Sequence, residues 1–183
     1  MGQDIWVRFP ALVGSDFEAV DTSSLMADPG FGRIHNLSTE DWERAFRINV
    51  LGAVNGIKAA VGVMRPQGSG SIVLTASVSG LTAWSHAGPY CASKAAVIQL
   101  TKVAALEHAA AGSREGGGVT VNCVCPGWVE TPLIEPQIAA RADQHGGDRE
   151  AGVRALLAEK QPSGRMSLPS DIAATVLFLC RPE

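Results

Sequence analysis

A tyrosine and a lysine, Tyr90 and Lys94, lie four residues apart in a stretch that favours a helix. This spacing places both side chains on the same face of the helix. A free tyrosine has a pKa of about 10 and exchanges protons poorly near neutral pH, but a neighbouring ammonium group favours the phenolate and lowers that pKa. Such a pair could donate and accept a proton during a reaction. The same spacing also arises by chance on many helices, so the chemistry depends on what lies nearby.

Further polar residues stand where they could share a site with this pair. Ser77 follows a short apolar run, 71–76, and Pro126 and Gly127 end the next apolar run. Active groups of open α/β sheets gather at the carboxyl ends of the strands. A hydroxyl at position 77 could hold a substrate carbonyl while the tyrosine passes a proton; otherwise Ser77 is a simple turn residue. Asn49 lies within a predicted helix and is either part of this site or an ordinary polar position on the helix side.

The elements that must position these residues alternate in type along the chain. Apolar residues at steps of three and four predict one helix over residues 42–64, and a mostly apolar stretch predicts a second over 90–111. The runs 71–76 and 119–125 have the length and composition of buried parallel strands. A last helix is predicted over 171–180. This alternation predicts an α/β fold with a parallel sheet.

Taken in order, the motifs resemble those of the classical short-chain dehydrogenases/reductases. Asn49 within R-I-N-V matches that family's helix asparagine, and Ser77 within T-A-S-V-S-G matches its catalytic serine. The stretch from Tyr90 to Lys94, Y-C-A-S-K, matches the Y-x-x-x-K signature. P-G-W-V-E-T at 126–131 is similar to the segment that passes beneath the nicotinamide, and a later G-R followed by D-I-A is similar to the family's last helix. The likeness covers residues 29–183 and implies a Rossmann-like, mostly parallel sheet with helices on both faces.

The resemblance implies a role for each matching residue. Tyr90 would be the general acid/base, and Lys94 would lower its pKa and bind the nicotinamide ribose. Ser77 would position the reacting oxygen, and Asn49 would hold a water molecule that links the lysine to solvent. The implied reaction is hydride transfer between NAD or NADP and a small-molecule alcohol/carbonyl pair, with the cofactor supplying the chemistry.

The resemblance also implies which residues bind the cofactor and the substrate. The implied cofactor-binding residues are Tyr90, Lys94, Pro126, Gly127, Val129 and Thr131. The implied substrate pocket contains Ser79, Trp84, His86 and Trp128, whose aromatic rings favour an apolar carbonyl compound, although a tryptophan also serves as packing. Residues 133–160 would form a lid over the substrate.

Two parts of the family's pattern are not found in this sequence. No T-G-x-x-x-G-x-G stretch is present, and Gly30-Phe31-Gly32 lacks the third glycine and a strand before it. Segment 1–28 stays unassigned, and the family's last strand has no counterpart. We therefore expect an incomplete fold, shortened at both ends, that lacks the early strands with their glycine-rich loop.

The composition is that of a globular protein, with 46% hydrophobic and 18% charged residues and a formal net charge of −3. That charge gives no reason to expect nucleic acid or an anionic membrane as a partner. No run reaches the roughly 18 apolar residues of a membrane helix, and the N-terminus shows no secretory pattern. We expect one cytoplasmic domain over residues 1–183, without a nucleic-acid or membrane partner.

Two other chemistries find little support. Cys123 and Cys125 lack the second cysteine pair or the spaced histidines of a zinc site, so no metal is expected. The stretch around Ser77 is not the G-x-S-x-G of serine hydrolases, since Thr75 stands in place of the leading glycine.

Two interpretations of the whole chain stay open. The first is an NAD(P)-dependent oxidoreductase that forms a homodimer or homotetramer, because the predicted helix over 90–111 is apolar nearly all round and would be covered on two sides. The second is a non-catalytic remnant of the same family that acts as a binding or oligomerisation module, or an incomplete fragment.

Overall fold

The computed structural model describes residues 31–109 and 118–180. The unassigned segment 1–28 lies outside these residues. The helices are α1 (Thr39–Phe46), α2 (Gly52–Gln67), α3 (Gly88–His108), α4 (Glu135–Ala142), α5 (Arg149–Lys160) and α6 (Pro169–Leu179). The strands are β1 (Ser69–Thr75) and β2 (Gly118–Val124), and short 3-10 turns lie at Ile34–Asn36, Val78–Gly80, Pro132–Ile134 and Asp143–His145. Within this part of the chain the predicted strands and helices are present, except that the one helix predicted over 42–64 is divided.

The two strands pair in parallel, in a register that sets Ile72 opposite Val121. Alternate residues of a strand point to opposite faces of the sheet, so this pair marks one face. On that face Ile72, Val121 and Val119 are buried together with Ile57 and Met64 of α2. Burying each such side chain contributes roughly 1.5–3 kcal/mol, which makes this layer the main core between the sheet and helices α2 and α3.

The opposite face of the sheet meets α6. Ser71, next to Ile72 and therefore on the other face, donates its hydroxyl to the Leu179 carbonyl at 2.9 Å. Its oxygen also lies 3.0 Å from the Thr120 hydroxyl of the neighbouring strand. The predicted arrangement of parallel strands with helices on both faces is confirmed for these two strands.

The prediction of one continuous helix over 42–64 is wrong, because the structure divides this stretch in two. The start is as expected: Ser38 and Asp41 form a reciprocal capping box before α1. A π-helical segment, Arg47–Leu51, then separates α1 from α2. Single π turns inside α-helices are frequent at functional sites, and this one contains the buried Asn49.

Residues 132–160, here called the helical hairpin, pack on themselves. Ile138, Leu156 and Leu157 form a second buried cluster with Ile134 and with Trp128 from outside the hairpin. The two helices cross closely at Gly152, where a Cβ atom would lie 2.7 Å from the Ile138 carbonyl oxygen. This segment therefore has a small core of its own, separate from the main one.

The residues that the structure describes contain no helix long and apolar enough to cross a membrane. Within the same ranges, no group of three or more His, Cys, Asp or Glu side chains could hold a metal ion.

Candidate functional site

The site forms where the two parallel strands end. Beyond β1, the Ala76 N–H donates to the Val124 carbonyl at 2.9 Å, which continues the pairing past the last strand residue. The Val78 N–H donates to the Pro126 carbonyl at 3.0 Å. These two bonds hold Ser77 and the Pro126 turn side by side at the carboxyl edge of the sheet, as the sequence predicts.

Ser77 is buried and leads into the Val78–Gly80 turn. Its hydroxyl oxygen accepts a hydrogen bond from the Ser79 N–H at 3.1 Å. Ser77 and Tyr90 both line the cleft, and the interaction of the Ser77 hydroxyl with the phenol lowers the pKa of the tyrosine. The turn can approach α3 this closely because Gly80 carries no side chain: a Cβ there would lie 2.7 Å from the Lys94 carbonyl carbon.

Tyr90 and Lys94 share one face of α3, as their spacing predicts. The Lys94 Nζ donates to the Thr75 carbonyl at 3.1 Å and lies 5.8 Å from the centroid of the Tyr90 ring. The lysine side chain is buried, and this burial lowers its pKa. The structure thus places an ammonium group and a phenol together with little solvent between them.

The electrostatic balance at Tyr90 differs from the sequence-based expectation. Burial raises the pKa of Tyr90, and this effect exceeds the lowering by its hydrogen bond to Ser77. The physical reason is that burial disfavours the charged phenolate. That Lys94 lowers the pKa of the tyrosine stays a prediction.

Asn49 reaches the tyrosine through Ser93, a residue that carries no exposed surface. The Asn49 Nδ2 donates to the Ser93 Oγ at 2.9 Å, and that hydroxyl donates in turn to the Tyr90 carbonyl at 2.9 Å. This buried chain connects the π-helical segment to the first turn of α3. It fixes the orientation of the turn that carries the tyrosine.

The N–H and C=O of Val129, which lines the cleft, take no part in the pairing with Ser167. Ser167 pairs with the residues on either side: its N–H donates to the Trp128 carbonyl at 3.0 Å, and its carbonyl accepts from the Glu130 N–H at 2.9 Å. In a parallel bridge of this kind the N–H and C=O of Val129 itself point the other way. One donor and one acceptor side by side match the two ends of a primary carboxamide. The Thr131 hydroxyl, 3.5 Å from the Val129 carbonyl, lies beside them.

Aromatic rings form a continuous wall beside the tyrosine. Trp84 meets Phe31 and Trp128 edge-to-face, each with ring centroids 5.6 Å apart. Phe31 lies 6.4 Å from the Tyr90 ring. The wall makes one side of the site apolar, which suits a hydrocarbon substituent.

The cleft has a volume of about 350 Å³. The sequence-predicted residues that line it are Asn49, Ser77, Ser79, Trp84, Tyr90, Lys94, Pro126, Gly127, Trp128, Val129 and Thr131. The structure does not bring His86 to this lining: its side chain is exposed, and its backbone has a φ of 68°. His86 instead makes a backbone contact, in which its carbonyl accepts a hydrogen bond from the Gly32 N–H at 2.7 Å.

Further residues line the cleft. Leu133 and Ile134 belong to the segment predicted to cover the substrate, whereas the sequence analysis missed Thr75, Ala76, Val78, Gln161, Pro169 and Ile172. The first three flank Ser77 at the end of β1, and the position of the other three depends on how the chain after the helical hairpin folds back over the strand ends. Gln161 carried no local signal, since it stands between a helix and Pro162 like many polar helix ends.

Comparison with known proteins gives a consistent result. A family model described as enoyl-(acyl carrier protein) reductase matches residues 18–183. The D-beta-hydroxybutyrate dehydrogenase of Cupriavidus necator is 38% identical over 146 residues, which are 80% of this chain and 54% of that protein. The inactive 2-(S)-hydroxypropyl-CoM dehydrogenase 2 of Xanthobacter autotrophicus is 36% identical over 150 residues, 82% of this chain and 60% of that protein.

Solved structures also resemble the chain. L-sorbose reductase from Gluconobacter frateurii, complexed with NADPH and L-sorbose, matches with a TM-score of 0.73 and 26% identity over 82% of this chain and 55% of its own. An NAD+-bound xylitol dehydrogenase matches with a TM-score of 0.70 and 28% identity over 83% of this chain and 58% of its own. The chain spans about half the length of the curated relatives it matches.

Proposed function

The chain belongs to the short-chain dehydrogenase/reductase family, and from that premise we propose that the protein is an NAD(P)-dependent oxidoreductase that interconverts an alcohol and a ketone or aldehyde. The observation that carries the proposal is the convergence of Ser77, Tyr90 and Lys94 on one cleft at the ends of two parallel strands. A hydroxyl, a phenol and an ammonium in this arrangement are suited to proton transfer at a carbonyl oxygen.

The residues present fit the nicotinamide and its ribose. The N–H and C=O of Val129 lie outside the bridge to Ser167 and would serve as a matched pair for the carboxamide, with the Thr131 hydroxyl beside them. The Lys94 Nζ and the Tyr90 hydroxyl would hold the ribose, and Pro126 and Gly127 would lie beneath the ring. When bound, the nicotinamide supplies or accepts the electron pair of the redox reaction. NAD and NADP both remain within the proposal, since relatives of known structure hold one or the other.

The side chains of the site divide the remaining work. The raised pKa of Tyr90 keeps its hydroxyl protonated near neutral pH, so it is ready to donate a proton to a carbonyl oxygen that becomes a hydroxyl. The Ser77 hydroxyl would hold that oxygen by a second hydrogen bond. In the oxidation direction the tyrosine must first lose its proton, and the Lys94 ammonium favours that form through its positive charge.

The substrate is proposed to be a small molecule with an apolar substituent. Trp84 and Trp128 form an aromatic surface on one side of the cleft, and Ser79 lies next to the catalytic serine. Among the described residues that line the cleft, Lys94 alone is charged. Because this lysine is assigned to the ribose and the tyrosine, no second cation of the lining is left to pair with a substrate carboxylate, and an uncharged carbonyl compound is favoured.

The experiment that tests the function is a titration of the purified chain with NADH and NADPH, followed by nicotinamide fluorescence and by thermal shift. We expect saturable binding of one or both, weakened in Lys94→Ala and unchanged in Lys102→Ala, whose side chain is exposed on the same helix. Turnover of an aliphatic or aryl ketone should follow. If the chain unfolds cooperatively but binds neither cofactor, the oxidoreductase function is excluded. The protein would then be a non-catalytic binding or oligomerisation module.

The non-catalytic alternative has its own support. The sequence contains no glycine-rich T-G-x-x-x-G-x-G stretch to hold a pyrophosphate, and one similar relative is named as inactive. A chain of this kind would keep the fold and its association surface while binding no dinucleotide. The same titration separates the two functions.

Association with a second copy is proposed through helices α2 and α3. Apolar side chains are exposed there: Leu51, which directly precedes α2, is 54% exposed, and Val103 and Leu106 of α3 are 42% and 82% exposed. Covering this surface in a homodimer or homotetramer would remove it from water. Sedimentation velocity of the chain and of Leu106→Glu should show a dimer or tetramer that the substitution dissociates. A cytoplasmic location and a single domain over residues 1–183 also remain part of the proposal.

A further inference from the structure

Gln161 follows the last turn of α5 and contacts the turn that ends β2. Its Oε1 accepts a hydrogen bond from the Trp128 N–H at 2.7 Å. Its Nε2 donates to the Arg165 carbonyl, so both ends of the side-chain amide have partners. The residue also lines the cleft. One side chain thus joins the base of the helical hairpin to the segment on which the nicotinamide is proposed to lie.

Gly127 leaves the space that this contact needs. A Cβ atom at position 127 would lie 2.7 Å from the Gln161 Oε1. The backbone at Gly127 does not adopt a positive φ, so an alanine would be tolerated there by the backbone alone. The glycine is therefore required by the approach of Gln161 rather than by the shape of the turn.

The contact holds the peptide group that precedes those of Val129. Ser167 already holds the Trp128 carbonyl and the Glu130 N–H, which share their peptide groups with the N–H and C=O of Val129. The Trp128 N–H belongs to the peptide group before these, and Gln161 accepts its hydrogen bond. Since Val78 also holds the Pro126 carbonyl, the Gln161 contact fixes the remaining peptide group that leads from the turn into Val129.

We propose that Gln161 is a positioning residue that couples the helical hairpin to the cofactor-facing backbone of Val129. This inference rests on the proposed function, because the backbone matters to the reaction only if a nicotinamide lies against it. Gln161 itself touches no reacting atom. Its effect passes through the Trp128 N–H, which distinguishes it from a residue that binds the substrate directly.

The test measures hydrogen exchange of individual backbone amides in the free protein, together with NADH and NADPH affinity. In Gln161→Met, which keeps the length and loses both hydrogen bonds, exchange at the Trp128 amide should rise about five-fold, the factor for one neutral hydrogen bond of about 1 kcal/mol. Exchange at the Val78 amide should not change. Gln161→Glu keeps an acceptor and should restore protection at Trp128. Gln144→Met, at an exposed position of the same hairpin, is the control.

A double-mutant cycle isolates the contact. Gly127→Ala should raise Trp128 exchange in the native background and should add nothing in a Gln161→Ala background. Cofactor affinity should fall by a similar factor in Gly127→Ala, Gln161→Ala and their combination. Additive effects, or an unchanged Trp128 amide in Gln161→Met, would overturn the inference while leaving the function intact. Absence of cofactor binding to the unmodified chain would instead remove the function, and the positioning role with it.

Discussion

Replacing Lys94 with methionine should stabilise the fold while abolishing its chemistry. The Lys94 side chain is 9% exposed, and within the described part of the chain its ammonium has one hydrogen bond, to the Thr75 carbonyl. Effective desolvation of a buried ammonium costs several kcal/mol, whereas one charge-assisted hydrogen bond returns about 1.5–3 kcal/mol. Methionine fills nearly the same space without a charge. We expect Lys94→Met to raise the free energy of unfolding by about 1 kcal/mol at pH 7, or the melting temperature by roughly 2–4 °C.

The pH dependence of this gain has a definite sign. Burial lowers the pKa of Lys94 in the folded state below its ordinary value of 10.5. The folded protein therefore releases this proton before the unfolded chain does, and its stability rises with pH between the folded pKa and 10.5. The methionine variant has no such rise. The difference between the two proteins should shrink as the pH approaches 10.5.

Urea unfolding followed by circular dichroism at pH 7 and near pH 10.5 measures both quantities, with Lys102→Met on the exposed side of α3 as the control. Turnover of the variant should fall by roughly 100-fold or more, as expected for the loss of an acid/base partner. A variant that is less stable than the native protein at pH 7 would refute the reasoning. So would a stability difference that is the same at both pH values.

Three further substitutions test other contacts by urea unfolding. Gly80→Ala should destabilise the fold by about 2 kcal/mol, because its Cβ would lie 2.7 Å from the Lys94 carbonyl carbon; a loss below about 0.5 kcal/mol would contradict the close approach. Ser93→Ala leaves the buried Asn49 amide without its acceptor and should cost about 1–3 kcal/mol, a loss that Asn49→Leu in the same chain should partly recover. Tyr90→Phe should reduce the loss of stability at alkaline pH. The tyrosine pKa is raised in the folded state, so the free energy of unfolding of the native protein falls as the pH rises above 10.0. An equal dependence on pH in the two proteins would count against burial of the phenol.

Much of the fold follows from local patterns in the sequence. Ser38 and Asp41 mark the start of α1, and alternating apolar runs mark two strands whose carboxyl ends must meet at one edge. From that edge alone, Ser77 and the Pro126 turn could be placed together. Tyr90 can be added to this edge, because it lies in the first turn of the helix that follows β1. The four-residue spacing then places Lys94 on the same face of that helix.

What the sequence could not predict depends on tertiary contacts. The π-helical segment around Asn49 interrupts an unbroken apolar periodicity, so nothing local announces it. The sign of the pKa shift at Tyr90 depends on how much water the folded chain removes, which spacing does not encode. Gln161 becomes significant only because the chain after α5 returns, 33 residues after Trp128, to within hydrogen-bonding distance of it.

The hairpin of α4 and α5 closes its own small core, and this has a consequence for how the protein can diversify. Ile138 and Leu156 contact each other across the hairpin instead of reaching the main core beneath the sheet. A block of sequence that packs mostly against itself can be exchanged without repacking the two strands, provided that its contacts with Trp128 are kept. New ligand preferences could therefore evolve by replacement of this block, while the residues at the strand ends are retained.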